Sequence, residues 1–330
     1  MQAKNILITG GAGFIGSNLA EALLTDERVG LVRVVDDLSN GFRRNIEAFL
    51  GHPRFEFLEG SVEDYSFCER ACLGIDSIAH QAALGSVPRS IKNPLRTNTV
   101  NISGTLNIFT AAKEAGIKRV IFAASSSTYG DSQALPKQEE IIGKPLSPYA
   151  VTKLVNELYA DVYANLYDFN YIGLRYFNVF GPKQDPYGAY AAVIPLFAKA
   201  ILNGERPTIN GDGSFSRDFT YIDNVVQANV KALFTENGAA LNQIYNVACG
   251  GRTTLLELFD ALKKEAGVEM SPILGPERPG DIPHSHADIS KIRERLGYVP
   301  EVSVTEGIRK AFGWYRELFT NEIAATTNTL

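Results

Sequence analysis

Tyr149 and Lys153 stand four residues apart in a stretch, Tyr149–Tyr167, whose apolar spacing predicts a helix. On a helix, residues i and i+4 share a face. A free phenol has a pKa near ~10 and is a poor base at neutral pH. An ammonium close by favours the phenolate and lowers that value. Such a pair can take a proton from a hydroxyl while a hydride leaves the same carbon. Taken alone, Tyr-x-x-x-Lys is a common accident of helix surfaces. It gains weight from Ser125-Ser126-Ser127-Thr128-Tyr129, which follows an apolar run, Arg119–Ala124, that reads as a buried strand. A serine hydroxyl at the carboxyl end of a strand can hold the reacting oxygen while Tyr149 moves its proton.

A departing hydride needs an acceptor, and the amino-terminal segment offers a place for one. Thr9-Gly10-Gly11-Ala12-Gly13-Phe14-Ile15-Gly16 joins a short apolar run, Asn5–Thr9, to a segment of helical periodicity, Phe14–Leu24. Glycines let a backbone turn sharply and approach a pyrophosphate, and the helix amino terminus offers free N–H groups and the positive end of its dipole. A glycine triplet alone is a weak signal. The second apolar run, Leu31–Val35, ends in Asp36, about 20 residues past the last glycine. A carboxylate there accepts hydrogen bonds from ribose hydroxyls and repels a 2′-phosphate, so the expected cofactor is NAD rather than NADP. Asp37 and Asn40 are expected to line the same pocket.

The elements that must position these groups alternate. Short apolar runs at Phe55–Leu58, Ser77–Ala79 and Tyr171–Arg175 read as further strands, and Val62–Ala71 and Asn98–Ala115 as helices. Strand–helix alternation predicts an α/β fold, a doubly wound parallel Rossmann sheet. After Arg175 the pattern loosens into loops rich in Gly, Pro and polar residues at Gly181–Gly188, Asn203–Asp218 and Leu274–Pro283. Between them lie a helix near Ala192–Leu202, a strand near Ile244–Ala248 and a helix near Leu255–Ala266. The expected division is a dinucleotide-binding domain over residues 1–175, to which part of 220–250 returns, and a smaller mixed α/β substrate lobe made mainly from 176–330. A small ligand is expected between the two.

Composition narrows the partners. The chain has 330 residues with 32 basic and 37 acidic side chains, a net charge of −5, which gives no basic footprint for nucleic acid. No stretch reaches the ~18 uncharged apolar residues of a membrane helix, and the first residues, Met1-Gln-Ala-Lys, enter a strand with no leader pattern. Three cysteines, Cys68, Cys72 and Cys249, are too few and too odd for a disulfide framework and fit a reducing compartment. The expected location is the cytoplasm. No metal is expected, because Cys68 and Cys72 lack neighbouring ligands.

In combination the glycine turn, Asp36, the serine run and Tyr149…Lys153 resemble the extended short-chain dehydrogenase/reductase family, and within it the UDP-hexose 4-epimerases, over nearly the whole chain. Asn101, Leu174-Arg175-Tyr176-Phe177-Asn178-Val179-Phe180-Gly181, Ser216-Arg217-Asp218 and Arg278-Pro279-Gly280-Asp281 extend the match. The resemblance implies that Ser125 and Tyr149 face the sugar C4 oxygen and that Lys153 holds the nicotinamide ribose. It puts Asn101 and Tyr176 near the nicotinamide. It assigns Asn178, Arg217 and Arg278 to the UDP diphosphate, a sensible task for guanidinium forks. Gly10, Gly13, Phe14, Ile15 and Gly16, with Ser61, Val62, Gln81 and Ala82, complete the implied cofactor set. Ser126, Val193 and Asp281 join the implied substrate set. One departure is Ser61, where many relatives carry an Asp that reaches the adenine amino group; a neutral hydroxyl makes a weaker bond there.

The same resemblance bears on the reaction. Related 4,6-dehydratases carry an Asp-Glu pair just after the catalytic Ser/Thr, and UDP-glucuronate decarboxylases a Glu near the same place. Here Ser126 and Ser127 occupy those positions and cannot do that work. A ketone made at C4 is then simply reduced again, and reduction on the opposite face inverts C4. For the sugar, Ser285 takes the place where glucose/galactose epimerases put a bulky Tyr, leaving room for an acetamido group beside C2. Gly85-Ser86-Val87-Pro88-Arg89-Ser90 and Ala192 resemble the N-acetyl-preferring subgroup. The expectation is a UDP-GlcNAc/UDP-GalNAc 4-epimerase, with UDP-glucose or UDP-glucuronate 4-epimerase as the alternative. A homodimer is implied by analogy with relatives that pair through helices like Asn98–Ala115 and Tyr149–Tyr167.

Overall fold

The computed structural model describes residues 3–188, 191–277 and 282–327, with side chains as far as Thr320. Seven parallel strands form the central sheet. β1 (Lys4–Thr9), β2 (Val29–Asp36), β3 (Phe55–Glu59), β4 (Ser77–His80), β5 (Arg119–Ser125) and β6 (Asn170–Tyr176) lie in the order β3-β2-β1-β4-β5-β6, and a seventh strand, Gln243–Val247, pairs beside β6. The order reverses direction at β1/β4. Beyond the carboxyl ends of strands at such a switch point, doubly wound sheets hold their ligands.

Strand residues alternate between the two faces. Ile6 and Ile8 of β1 enter one apolar core with Leu19 of α1 (Phe14–Thr25). Leu7 enters the other, with Phe67 of α2 (Tyr65–Cys72). The helical run around Asn101 is not uniform. α3 (Val87–Lys92) and α4 (Pro94–Asn98) precede a π-helical turn, Thr99–Ser103, and only then does α5 (Gly104–Glu114) continue. The helical stretch expected over Asn98–Ala115 is present and stays helical throughout, with a wider π turn near its start that falls on Asn101, as π turns often do at functional positions. α6 (Pro148–Leu166) begins with Ser147 capping the Ala150 N–H at 3.2 Å, two residues before Tyr149.

Beyond β6 the chain builds short ladders and three helices, α7 (Val193–Leu202), α8 (Ile222–Phe234) and α9 (Leu255–Ala266), followed by α10 (Ser290–Leu296) and α11 (Val304–Thr327). Val179–Phe180 pairs with Thr220–Tyr221, Ser216–Arg217 with Thr253–Thr254, and Thr208–Asn210 with Ile273–Gly275. α9 opens on a capping box, Thr254 with Glu257, and closes on Gly267 in the left-handed region. α8 crosses back and packs on α1 and the central sheet, and its chain continues into the edge strand Gln243–Val247.

Candidate active site

The glycine turn is built by close approach. Gly10 has φ +67°, and a Cβ on it would lie 2.7 Å from the Ala82 backbone. A Cβ on Gly16 would lie 2.3 Å from the Gly10 carbonyl oxygen, so only glycine lets α1 press this closely on the turn. Gly13 is the N-cap of α1 and has no side chain to cover the helix amino terminus. Asp36, at the end of β2, accepts the Ala12 N–H at 3.0 Å and the Leu38 N–H at 2.9 Å. Burial pushes its pKa up, and the N–H groups of Leu38, Ala12 and Gly13 pull against that. Asp37 is exposed and accepts from Ser39; Asn40 accepts from Arg89 at 3.0 Å.

These groups wall a cleft of about 510 Å³ beyond the carboxyl ends of the strands. Phe14, Ile15, Ser61, Val62, Gln81 and Ala82 line it from the sheet side, with Gly85 and Ser86 on the following loop; Gln184, Asp185 and Ala192, from the chain beyond β6, line it as well. The Ser61 hydroxyl is tied weakly to Glu63, at 3.3 Å. Ser86 holds φ +103°, a strained value for a side-chain-bearing residue, and its oxygen accepts the Arg89 N–H that starts α3.

Ser125, Ser126, Tyr149, Lys153 and Tyr176 lie off this cleft's wall, at the ends of β5 and β6 and on α6. Ser125 is buried, and its Oγ accepts from the Ser127 N–H at 3.1 Å and the Ser127 hydroxyl at 2.9 Å. Tyr149 is half-buried. Burial holds its pKa above the ordinary phenol value, and the Ser125 hydroxyl pulls it down. The depression expected from Lys153 is not what dominates. The Lys153 ammonium lies 5.9 Å from the Tyr149 ring centre and donates to the Ala123 carbonyl at 2.6 Å. Burial lowers the Lys153 pKa to about 8, with Glu157 one turn on pulling it up.

Several expected contacts are turned inward. Asn101 is fully buried; its amide accepts from the Leu84 N–H (2.8 Å) and donates to the Leu84 carbonyl (3.3 Å) and the Thr152 hydroxyl (3.1 Å). It fixes the loop after β4 against α6. The Tyr176 hydroxyl lies among Gln81 (3.1 Å) and Asn229 (2.9 Å), closing a bridge from the cleft wall to α8. Asn178, at φ +37°, donates to the Asp218 carbonyl at 3.3 Å. Arg217 donates to the carbonyls of Ser216 (2.9 Å) and Pro283 (3.2 Å). Of the expected diphosphate trio, the structure brings Asn178 and Arg217 to one region; Arg278, like Asp281, lies outside the described residues. Val193 opens α7 beside Ala192. Ser285 is half-buried, with its N–H on the Ser216 carbonyl at 3.0 Å.

Three buried groups carry structure that residue type alone did not announce. Asp218 accepts the N–H groups of Cys249 (3.0 Å), Gly250 (3.1 Å) and Ala287 (3.3 Å), and burial raises its pKa to about 6. His80 joins Thr9 (2.7 Å) to Thr105 (2.9 Å) and is held neutral, its pKa lowered to about 3 by burial and by Lys153. Asn229 anchors Tyr176. Asp218 stood inside a recognisable motif; the other two had only their type, a polar residue among apolar ones, to mark them.

Residues 6–248 match the model of the NAD dependent epimerase/dehydratase family. The chain belongs to that family. A UDP-glucose 4-epimerase of Mycolicibacterium smegmatis is 38% identical over 312 residues, 94% of this chain and 98% of that protein. The crystal structure of a Thermotoga maritima UDP-glucose 4-epimerase with UDP-glucose superposes with a TM-score of 0.89 at 38% identity, covering 96% of this chain and 99% of that one. A UDP-N-acetylglucosamine 4-epimerase from Methanobrevibacter ruminantium M1, in complex with UDP-N-acetylmuramic acid, superposes with a TM-score of 0.90 at 39% identity, covering 96% and 100%. The family member described here is an NAD-dependent UDP-sugar 4-epimerase. Its cofactor fits the residues present. The glycine turn leaves the α1 amino terminus bare for a pyrophosphate, and Asp36 stands where a ribose diol would be bound. Among the described residues no helix is long and apolar enough to cross a membrane, and no group of three His, Cys, Asp or Glu is placed to hold a metal.

Proposed function

We propose that this epimerase inverts C4 of a UDP-N-acetylhexosamine, interconverting UDP-GlcNAc and UDP-GalNAc. The observation that carries the reading is Ser285: a small, half-buried side chain on the segment that runs beside Ser216 and Arg217. A serine there leaves volume that a ring would fill. Gly85, on whose Cβ side no atom lies within 4 Å, adds room in the cleft it lines.

Bound NAD would supply the hydride acceptor for C4 and the donor for return of the hydride to the opposite face of the C4 ketone. The chain's own residues do the rest. Ser125 Oγ holds the C4 oxygen, and Tyr149 Oη accepts its proton and gives it back. Lys153 binds the nicotinamide ribose and supplies positive charge beside the phenol. Asp36 takes the adenosine ribose, and Asn178 and Arg217, with Arg278 and Asp281, take the UDP end. Residues 1–175 with α8 and the seventh strand serve the cofactor, and the remaining lobe serves the sugar nucleotide. Ser126 and Ser127 offer no acid for elimination or decarboxylation, which supports simple return of the hydride.

A homodimer is part of the same reading. α6 presents Val151, Leu158, Val162 and Leu166 to solvent, 45–67% exposed, beside Leu95 of α4 and Ile91 of α3. Exposed apolar side chains on three helices that pack together are suited to a second copy. A cytoplasmic location is part of the same reading, supported by three free cysteines, two of them buried. The deciding experiment incubates the purified protein with UDP-GlcNAc and UDP-Glc separately, without added NAD, and resolves the epimers. Higher kcat/KM on UDP-GlcNAc is expected. Higher kcat/KM on UDP-Glc overturns the assignment and favours the reading suggested by the Thermotoga maritima and Mycolicibacterium smegmatis enzymes.

A further inference from the structure

Ser285 and Tyr149 belong to segments far apart in sequence, and a sugar held between them needs a fixed gap. A continuous buried polar chain spans that distance. It starts on α6, one turn past Lys153, where Glu157 receives Arg175 in a bidentate pair at 2.9 and 2.7 Å, both side chains almost fully buried. The third arm of Arg175 donates to the Glu139 carbonyl at 2.9 Å, and its guanidinium lies 4.8 Å from the Tyr129 ring centre. The Glu139 carboxylate accepts the Asn246 backbone N–H at 2.8 Å.

Asn246 is fully buried and uses every polar atom of its side chain. Its Oδ1 accepts from the Tyr129 hydroxyl at 2.6 Å, and its Nδ2 donates to the carbonyls of Lys137 (2.9 Å) and Asp288 (3.0 Å). Lys137 in turn donates to the His286 carbonyl at 2.7 Å and accepts the Asp288 N–H at 2.9 Å. His286 is the neighbour of Ser285. The segment 285–288 is thereby stitched to loop 137–139, which Arg175 and Glu157 hold to the catalytic helix.

We propose that Asn246 is a positioning residue that sets the gap between the sugar-facing segment at Ser285 and the Tyr149–Lys153 helix. Both amide hydrogens are spent on carbonyls from the two segments that must stay in register, and a buried amide with all partners matched specifies one arrangement. Asn246 touches neither sugar nor cofactor. Its effect falls on substrate binding, because the wall moves while Ser125, Tyr149 and Lys153 keep their places. The proposal rests on the reading that the Ser285 segment faces the sugar.

The test uses the full-length enzyme. Asn246→Ala removes both stitches and leaves the backbone bond to Glu139. Tyr129→Phe is the milder variant, deleting only the hydroxyl that orients the amide. Asn224→Ala is the control: Asn224 is a similarly buried amide that ties α8 to Glu301 and Val302. For Asn246→Ala, KM for the UDP-sugar is expected to rise about 5-fold or more on both UDP-GlcNAc and UDP-Glc, with kcat per NAD-loaded site within about 2-fold. Tyr129→Phe should move KM the same way by less. Asn224→Ala should lower the melting temperature without raising KM. Unchanged KM in Asn246→Ala overturns the proposal, as does an equal KM rise in the control. If Asn246→Ala does not fold, Tyr129→Phe decides alone. Ser285→Tyr separates the two ideas. It changes the ratio between the sugars if Ser285 faces C2, whatever Asn246 does.

Discussion

The two sides of this site are made of different materials. The proposed cofactor side is made of backbone: Gly10, Gly13 and Gly16 matter for the Cβ they lack, and a single carboxylate, Asp36, stands at the end of β2 beside them. The proposed substrate side is made of side chains and carbonyls tied across long sequence distances, with Asp218 gathering Cys249, Gly250 and Ala287, and Asn246 gathering Lys137 and Asp288. A backbone cradle fits one rigid group, the pyrophosphate, and tolerates almost no variation. A wall held by side-chain stitches can be refaced at one position without losing its frame. This is a physical route by which one scaffold keeps its cofactor while its sugar changes.

That contrast can be broken at four points. The largest effect is expected on the backbone side. Gly16→Ala puts a methyl group 2.3 Å from the Gly10 carbonyl, so the variant should purify with little bound NAD and almost no turnover. Full NAD content after denaturation would show that the turn adapts. Tyr149→Phe should keep NAD and fold but lose about 10²-fold or more in kcat, because no group remains to take the C4 proton. Near wild-type turnover would remove Tyr149 from the mechanism.

On the substrate side, Ser285→Tyr should cost about 1–3 kcal/mol of overpacking for the acetamido sugar. That is roughly a 5- to 150-fold loss in kcat/KM on UDP-GlcNAc, while UDP-Glc keeps most of its activity. Equal loss on both sugars would place Ser285 elsewhere. The smallest effect is a pH limb. Burial lowers the Lys153 pKa to about 8, and the charged form is the working one, so kcat should decline as pH rises through about 8. A rate that stays flat up to pH 10, with the fold checked by circular dichroism, contradicts this.

What the sequence made legible follows the same division. The glycine turn, Asp36, the Ser125 strand end and the Tyr149–Lys153 spacing are local patterns, readable within a few residues of chain. α8 and α11 were not read as helices. In α8 the buried face carries Asn224 and Asn229 among its apolar residues, which blurs its periodicity. Those asparagines are there for partners, Val302 and Tyr176, that lie 78 and 53 residues away. α11 carries Ile308, Ala311, Phe312 and Tyr315 at helical spacing, a periodic signal that the sequence does contain. The π turn at Asn101 leaves no periodic mark at all. Asn246 reads as an ordinary strand residue until the carbonyls of Lys137 and Asp288 are seen beside it.

The seventh strand has a consequence for how the chain can be made. Gly173 of β6 sits so close to Ile244 that a methyl group there would lie 2.4 Å from its side chain, and Gln243–Val247 covers β6 from Ile172 to Tyr176. A fragment cut after residue 175 would carry Tyr149 and Lys153 yet leave β6 as a bare, apolar edge, a template for aggregation. During translation the sheet stays open until residue 247 has left the ribosome, about 70 residues after β6 itself has emerged, and such late closure between distant segments slows folding. Attempts to express the cofactor half alone should therefore give insoluble material, whereas a circular permutant that keeps Gln243–Val247 next to β6 should remain in solution.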